Sequence, residues 1–320
     1  MTLTIEEGIK ICEVVKETGK VFQVGTQQRS EMNLNFLRAV AIVQSGRLGK
    51  NVNAYVAIGG APKGDVIKSE EVPEDLDWNM WLGPAPMADY SETRRKMFRW
   101  FFEYSGGKMT DWGAHHIDIA QWALGKSDTG PVSVIGQGNF TPIVPDSFDW
   151  VGFLNGEAKL PSSFNTATEF NIDLKFDDGA IMSVHNHYKR EDGTNFPNGI
   201  LFEGEDGRIF VNRGKLTGKP IDQLTKSDEQ DISDRVSELY KGKQPGSHMK
   251  NFFECLEDRT DPISDVYTHH RTMTSCHLCN ISLMLGRELK WDPKKQQFEG
   301  DDQANALKSR TSREGFEMPS

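Results

Sequence analysis

The sequence predicts a mixed α/β fold in which the tail of a parallel, alternating sheet is followed by a larger, mostly antiparallel one. Three observations carry that reading. Residues 1–46 run helix, strand, helix, the grammar of a parallel α/β sheet, here of a sheet whose earlier strands are not in this sequence. Further on, strand-like runs are joined by the tight turns Asp177-Asp178-Gly179 and Glu205-Asp206-Gly207, which suit antiparallel neighbours and place glycine where a positive φ is wanted. Two long helical patterns then close the chain.

Each element has its own signal. Thr4 and Glu7 form a capping box ahead of Ile5, Ile9, Cys12 and Lys16 at helical spacing, and Gly19 is a good terminator. Val21–Gly25 is a short apolar strand. A second helix fits Met32 to Gln44, stopped by Ser45-Gly46. The grammar changes after Leu48-Gly49. Asn51–Ile58 is a strand, Gly59-Gly60-Ala61-Pro62 breaks it, and an irregular stretch runs to about Arg95; loops of that length are often functional. An amphipathic helix covers 111–124. Strands follow at Val132–Gln137, Thr168–Phe176, Ala180–Tyr188, Gly199–Gly204 and Arg208–Asn212, then helices near Gly246–Glu257 and Tyr267–Gly286. The tail from Asp292 is polar and reads as a surface arm.

Composition removes several classes of function. Lys+Arg 37 against Asp+Glu 47 gives a net charge of −10, the wrong sign for a nucleic-acid binder, and no basic stripe offsets it. No apolar run approaches the roughly 18 residues of a membrane helix, and Met1-Thr2-Leu3-Thr4 has neither the basic start nor the apolar run of a signal peptide. Four cysteines in 320 residues are no disulfide scaffold, so a reducing compartment is the default.

The densest chemistry lies in Tyr104-Ser105-Gly106-Gly107-Lys108-Met109-Thr110-Asp111-Trp112-Gly113-Ala114-His115-His116-Ile117-Asp118. On one helix, Asp111, His115 and Asp118 would share a face. A carboxylate beside a histidine sets its tautomer and lets it move protons near neutral pH. Gly106-Gly107 would let a ligand approach the backbone. The plainer alternative has Asp111 as an N-cap, His115 packed on the sheet and His116 in solvent. Lys108 could donate to a substrate hydroxyl or serve as proton donor, and Arg99, Tyr104 and Trp112 could line a sugar site. Gln28 and Arg29 follow the Val21–Gly25 strand at its carboxyl end, where open α/β sheets bind ligands, and are candidates for touching cofactor or substrate. Cys276, His277 and Cys279, with His269 and His270 nearby, lack zinc-like spacing, so no metal is expected. His185 and His187 alternate on one strand and read as a half-exposed sheet face.

The run Gly106 to Asp118 closely resembles the helix motif of the Gfo/Idh/MocA family of nicotinamide-dependent oxidoreductases. Thr4-Ile5-Glu6-Glu7-Gly8 looks like the helix after that family's Glu-Lys-Pro tripeptide, and Val24-Gly25-Thr26-Gln27-Gln28-Arg29 like its next strand and loop. Trp78 through Pro86 resembles the Trp-Leu-Gly-Pro-Ala-Pro segment of one subgroup. His277-Leu278-Cys279-Asn280-Ile281-Ser282, Leu285-Gly286-Arg287 and Trp291-Asp292-Pro293 resemble its closing helix and tail. The resemblance covers nearly the whole chain. It implies an N-terminal Rossmann domain for NAD or NADP and a C-terminal α/β domain whose large open sheet holds a sugar-like substrate and often makes a homo-oligomer. It also implies hydride transfer at a sugar or cyclitol carbon, with His115 and Asp111 as the matching proton-transfer and substrate-binding pair and His277 at the edge of the site.

Two of the family's parts are absent from the sequence: the Gly-x-Gly-x-x-Gly loop with its later acidic residue, and Glu-Lys-Pro. By the resemblance they precede Met1, together with about three strand–helix units, on the order of 90 residues. Residues 1–48 are then the remnant of the dinucleotide domain, 49–291 the substrate and dimerisation domain, and 292–320 the polar arm. The exposed edge of the Val21–Gly25 strand would be apolar and prone to self-association. The chain alone should bind no nicotinamide cofactor tightly, because it lacks the amides that hold the pyrophosphate. The expected compartment is the cytoplasm, or the periplasm if a preceding segment carries an export signal. Two other readings stay open: a non-catalytic sugar-binding or dimerisation module, and a variant that uses NAD transiently for glycoside hydrolysis or epimerisation.

Overall fold

A computed structural model describes residues 1–318. Helix α1 (Ile5–Thr18) starts on the Thr4/Glu7 capping box and ends on Gly19 at φ 60°. Helix α2 (Asn35–Gln44) begins three residues later than the sequence pattern suggests, because Met32, Asn33 and Leu34 all take left-handed φ values of 54–58°, a conformation that costs an L-residue about 1–2 kcal/mol. The central sheet has nine strands: β1 (Asn53–Ala57), β2 (Ser133–Asn139), β3 (Glu169–Lys175), β4 (Ile181–His185), β5 (Gly199–Gly204), β6 (Gly207–Val211), β7 (Leu216–Thr217), β8 (Leu289–Asp292) and β9 (Gln297–Phe298). Their order is β9-β8-β2-β3-β4-β1-β5-β6-β7. Only β1 and β4 pair in parallel, with Val56 opposite Val184.

Strand β3 alternates, with Phe170, Ile172 and Leu174 buried and Glu169, Asn171, Asp173 and Lys175 turned outward. One face of the sheet is therefore covered, by α2, α3 (Gly113–Ala123) and α6 (Val266–Leu285); on the other, Tyr188 and Phe196 pack over Ala57 and Leu201, and the outward residues of β3 meet solvent. Helix α4 (Lys226–Leu239) lies against α2, and α5 (His248–Asp258) against the segment before it. The main apolar core joins Ile5, Phe36, Leu37 and residues 39–43 to the sheet and to Met273, Leu278 and Trp291.

Three expectations change. Val21–Gly25 is not a strand: Gln23 forms one isolated bridge with Asp265, and its neighbour Val24 bonds Ser264. With no parallel partner strand among the described residues, the backbone turns instead to the loop before α6 and to the His248 ring, which meets the Val24 carbonyl at 2.8 Å. The segment also offers no continuous apolar edge. The tail is not simply a surface arm: β8 and β9 extend the sheet, and Trp291, Phe298 and Leu307 are buried. The strand read as Ala180–Tyr188 ends at His185, whose ring packs on Tyr188 at 4.9 Å, while His187 pairs with Asn195. Helix α4 gave little apolar signal because only Ile232 and Val236 of it are buried; its Thr225/Asp228 capping box was the available clue.

A buried ion pair joins these layers. Arg29 donates Nε and Nη2 to the two oxygens of Asp118 at 2.7 Å each, gives Nη1 to the Ile263 carbonyl at 3.0 Å, and stacks on Trp122 at 4.6 Å. Thr272 on α6 adds a hydroxyl to Asp118 at 3.0 Å. The paired Arg29 cation holds the Asp118 carboxyl below its ordinary range against its burial. Breaking such a pair from one side leaves an uncompensated charge, so Asp118→Ala should lower the free energy of unfolding by about 3–5 kcal/mol. A denaturant titration reads this directly, and a loss below about 1 kcal/mol would show that the pair does not organise the fold.

Several histidines are held neutral by burial. His116, His269 and His277 are pushed down to about 3 from an ordinary 6.5, in each case chiefly by desolvation. The unfolded chain binds protons on these rings that the folded chain refuses, so stability is full above pH 6.5 and is lost as pH falls from 6.5 toward 3. Denaturation midpoints should drop steadily on acidification across the upper part of this window, before carboxylates titrate, and His116→Gln should flatten the slope. A midpoint unchanged between pH 7 and pH 4.5 would contradict the assignment.

Candidate active site

The site is built around the entry to α3. A one-turn helix at Gly107–Met109 precedes it, and α3 itself starts at Gly113. Asp111 therefore lies before the helix rather than on its first turn, and the expected common face of Asp111, His115 and Asp118 is not formed. Asp118 points into the core, onto Arg29. Asp111 is half-buried and turns to two cations, Arg99 Nε at 3.2 Å and Lys108 Nζ at 3.9 Å. Lys108 sits between the rings of Trp100 at 5.5 Å and Trp112 at 5.9 Å. Its partial burial lowers its pKa, against the pull of Asp111.

His115 is half-buried, beside Trp112. Among the described residues its Nδ1 is enclosed and has no hydrogen-bond partner, so Asp111 does not orient it through a direct bond. Burial, and after it the charge of Arg213, hold the His115 pKa below 6.5, and the ring is neutral at pH 7. His116 does not face solvent. It is fully buried, accepting at Nδ1 from Gln28 Nε2 (3.1 Å) and donating from Nε2 to Asn198 Oδ1 (3.1 Å).

Gln28 is the hinge of this arrangement. Its amide nitrogen also reaches the His115 carbonyl at 3.2 Å, and its oxygen accepts from Arg213 Nε at 3.1 Å. Arg213 in turn lies over Trp112 at 4.4 Å. Gln28 is fully buried and Arg29 nearly so, so neither is available to a cofactor; both act inside the protein. Gly106 and Gly107 are likewise demanded by packing. A Cβ on Gly106 would meet Thr110 at 2.4 Å, and one on Gly107, at φ +64°, would meet Thr166 at 2.7 Å.

Two further expectations fall away from the cluster. The Tyr104 hydroxyl is bonded by Arg94 at 3.0 Å and its ring packs on Trp81 at 5.1 Å, within an aromatic group that holds the long 59–95 segment. His277 is 5% exposed and lines a small internal cavity with Phe102, Gly106 and Asn280, beneath the glycine turn rather than beside the groove. Arg99, Lys108, Asp111, Trp112 and His115 are thus brought together, and Tyr104, His277, Gln28 and Arg29 take other work. Arg213 and Asn198 were missed, since a lone Asn212-Arg213-Gly214 turn carries no motif.

Next to the cluster, an open groove of about 710 Å³ runs along β6 and β7, with Trp112, Asn198, Phe210 and Arg213 among its walls. Among the described residues no three metal-ligating side chains converge, and no helix is long and apolar enough to cross a membrane. A dinucleotide's phosphates need free backbone amides at a glycine-rich strand-to-helix turn. Here α1 is closed by its own capping box, and Gly106-Gly107 is filled by Thr110, Asn280 and Thr166. The residues present do not fit the phosphates of NAD or NADP.

Residues 43–141 and 157–318 match the model described as "Oxidoreductase family, C-terminal alpha/beta domain", of the Gfo/Idh/MocA group. No curated protein sequence matches the chain. Among solved structures, the WlbA dehydrogenase from Bordetella pertussis, in complex with NADH and UDP-GlcNAcA, is similar with a TM-score of 0.55 at 15% identity, over 91% of this chain and 70% of that one. The aldose–aldose oxidoreductase from Caulobacter crescentus, complexed with glycerol, is similar with a TM-score of 0.50 at 14% identity, over 91% and 70%. At these identities the likeness is one of fold. The family model, covering most of the sequence, places this chain among the Gfo/Idh/MocA oxidoreductases, as a bearer of their C-terminal α/β domain.

Proposed function

We propose that this chain is the substrate-binding and proton-handling side of a nicotinamide-dependent oxidoreductase that acts on a ring hydroxyl, or the corresponding ketone, of a sugar or cyclitol. The observation that carries the reading is the convergence of Arg99, Lys108, Asp111, Trp112 and His115 at the start of α3. A polyhydroxylated ring is well matched by an aromatic face with charged donors and a carboxylate around it. Trp112 supplies the face, Lys108 and Arg99 the donors, and Asp111 an acceptor. His115, neutral at pH 7, exchanges the proton of the reacting hydroxyl. NADH and a nucleotide sugar in the WlbA complex support a nicotinamide and a sugar-like ligand as the chemistry of this fold.

No redox step is assigned to a residue of this chain, because the described residues do not fit the cofactor's phosphates. The reading therefore places NAD or NADP on residues other than these. It also keeps residues 1–48 as the last part of the cofactor domain, the body from 49 onward as the substrate domain, the solvent-facing side of the sheet as a homo-oligomer surface, and the cytoplasm as the compartment. A second reading is a sugar-binding or dimerisation module without redox chemistry, in which His115 is dispensable.

Calorimetric titration of the chain with myo-inositol and D-glucose tests the proposal. Saturable binding with Kd on the order of 1 mM or below is expected, weakened about tenfold by Asp111→Asn and by His115→Ala with no change in melting temperature. NADH should bind weakly or not at all. Absence of sugar binding, or micromolar NADH binding by the chain alone, would overturn the proposal; sugar binding indifferent to His115→Ala would favour the module.

A further inference from the structure

The groove beside α3 carries a cation to which, among the described residues, no carboxylate is bonded. Arg213 spends Nε on Gln28 and lays its guanidinium on Trp112. It forms no salt bridge among the described residues, and neither of its terminal nitrogens has a protein partner there. Those two donors form a planar fork, the geometry that suits a carboxylate or phosphate. The fork is held in place from two sides, by a fully buried glutamine and by the indole of a residue already in the site, so little side-chain freedom remains to be lost on binding.

The surroundings have the same sign. Arg99, Lys108 and Arg213 gather around one carboxylate, Asp111, in a chain whose formal charge is −10. Along the groove Lys215 packs over Phe210 at 5.4 Å, also without a salt bridge among the described residues. Arg208 is already neutralised by Asp192 and Glu203. Partial burial pushes the Arg213 pKa down, so the charge sits there at a cost that an anionic ligand would relieve. The same charge lies close enough to His115 to depress its pKa. An anion on Arg213 would therefore be felt at the ring proposed to exchange the proton.

We propose that the ligand of this site is an acidic sugar, one carrying a carboxylate or phosphate, and that Arg213 is the residue that receives its anionic group. This rests on the sugar-directed reading above and adds the substrate class. The anion would lie in the groove along β6 and β7, and the ring would stand over Trp112 toward Asp111 and His115.

Calorimetric titration of the full chain at low salt with D-glucuronate, glucose 6-phosphate and D-glucose tests it. At least one acidic probe should bind about tenfold or more tightly than glucose, and rising NaCl should erode that preference but not glucose binding. Whether glucuronate or glucose 6-phosphate gains more tells carboxylate from phosphate. Arg213→Gln should abolish the preference; Arg213→Lys, which keeps the charge, should retain part of it. Melting temperatures of both variants guard against unfolding, and the lysine variant carries the test if the glutamine variant does not fold. Equal affinities for acidic and neutral sugars would overturn this inference while leaving the oxidoreductase reading intact. A preference that survives Arg213→Gln would overturn the assignment to Arg213. No binding of any probe would overturn both.

Discussion

The Arg29–Asp118 pair is the constraint from which the rest of the structure hangs. It takes one group from the segment after α1 and one from the middle of α3, and Thr272 of α6 and the Ile263 carbonyl complete it. Three regions distant in sequence, around residues 29, 118 and 263–272, are thus fixed at one point, and each guanidinium nitrogen of Arg29 donates a hydrogen bond. Burying two charges gains little by itself, but leaving either alone would be costly, so alternative placements of α3 are disfavoured. The position of α3 in turn sets where Asp111, Trp112 and His115 stand. Gln28, the residue before Arg29, reaches His115, His116 and Arg213. One short turn, Gln27–Arg29, therefore holds both the fold and the site.

Much of this was legible in the sequence, and the gaps have physical causes. The capping box of α1, the strands around Asp177-Asp178-Gly179 and Glu205-Asp206-Gly207, and α6 all declare themselves locally, through turn chemistry or apolar spacing. Val21–Gly25 has the composition of a strand, yet a strand needs a neighbour, and among the described residues it makes only the isolated Gln23–Asp265 bridge. Gln28 and Arg29 occupy a position where ligands often bind; their burial depends on Asp118, His116 and Arg213, which no local pattern reveals. Asp111 and His115 have helical spacing, but α3 starts only at Gly113, so the spacing does not place them on one face. The glycines at 106 and 107 looked permissive toward a ligand and turn out to be crowded by Thr110, Asn280 and Thr166.

The chemistry of the site follows from uneven solvation. His115 is kept neutral by burial and by a nearby cation, Lys108 is shifted down by partial burial, and Asp111 keeps its carboxylate between two cations. In the proposed function such an arrangement would bind hydroxyls and move protons at neutral pH.

The central claim is that sugar chemistry is gathered at Trp112, His115 and their neighbours, and chemical-shift mapping tests it most directly. With nitrogen-labelled protein, the indole signal of Trp112 and the ring signals of His115 should move in a saturable way as a sugar is added, while the buried His116 and His269 rings stay fixed. Shifts confined to another face, or none at saturating ligand, would contradict the account.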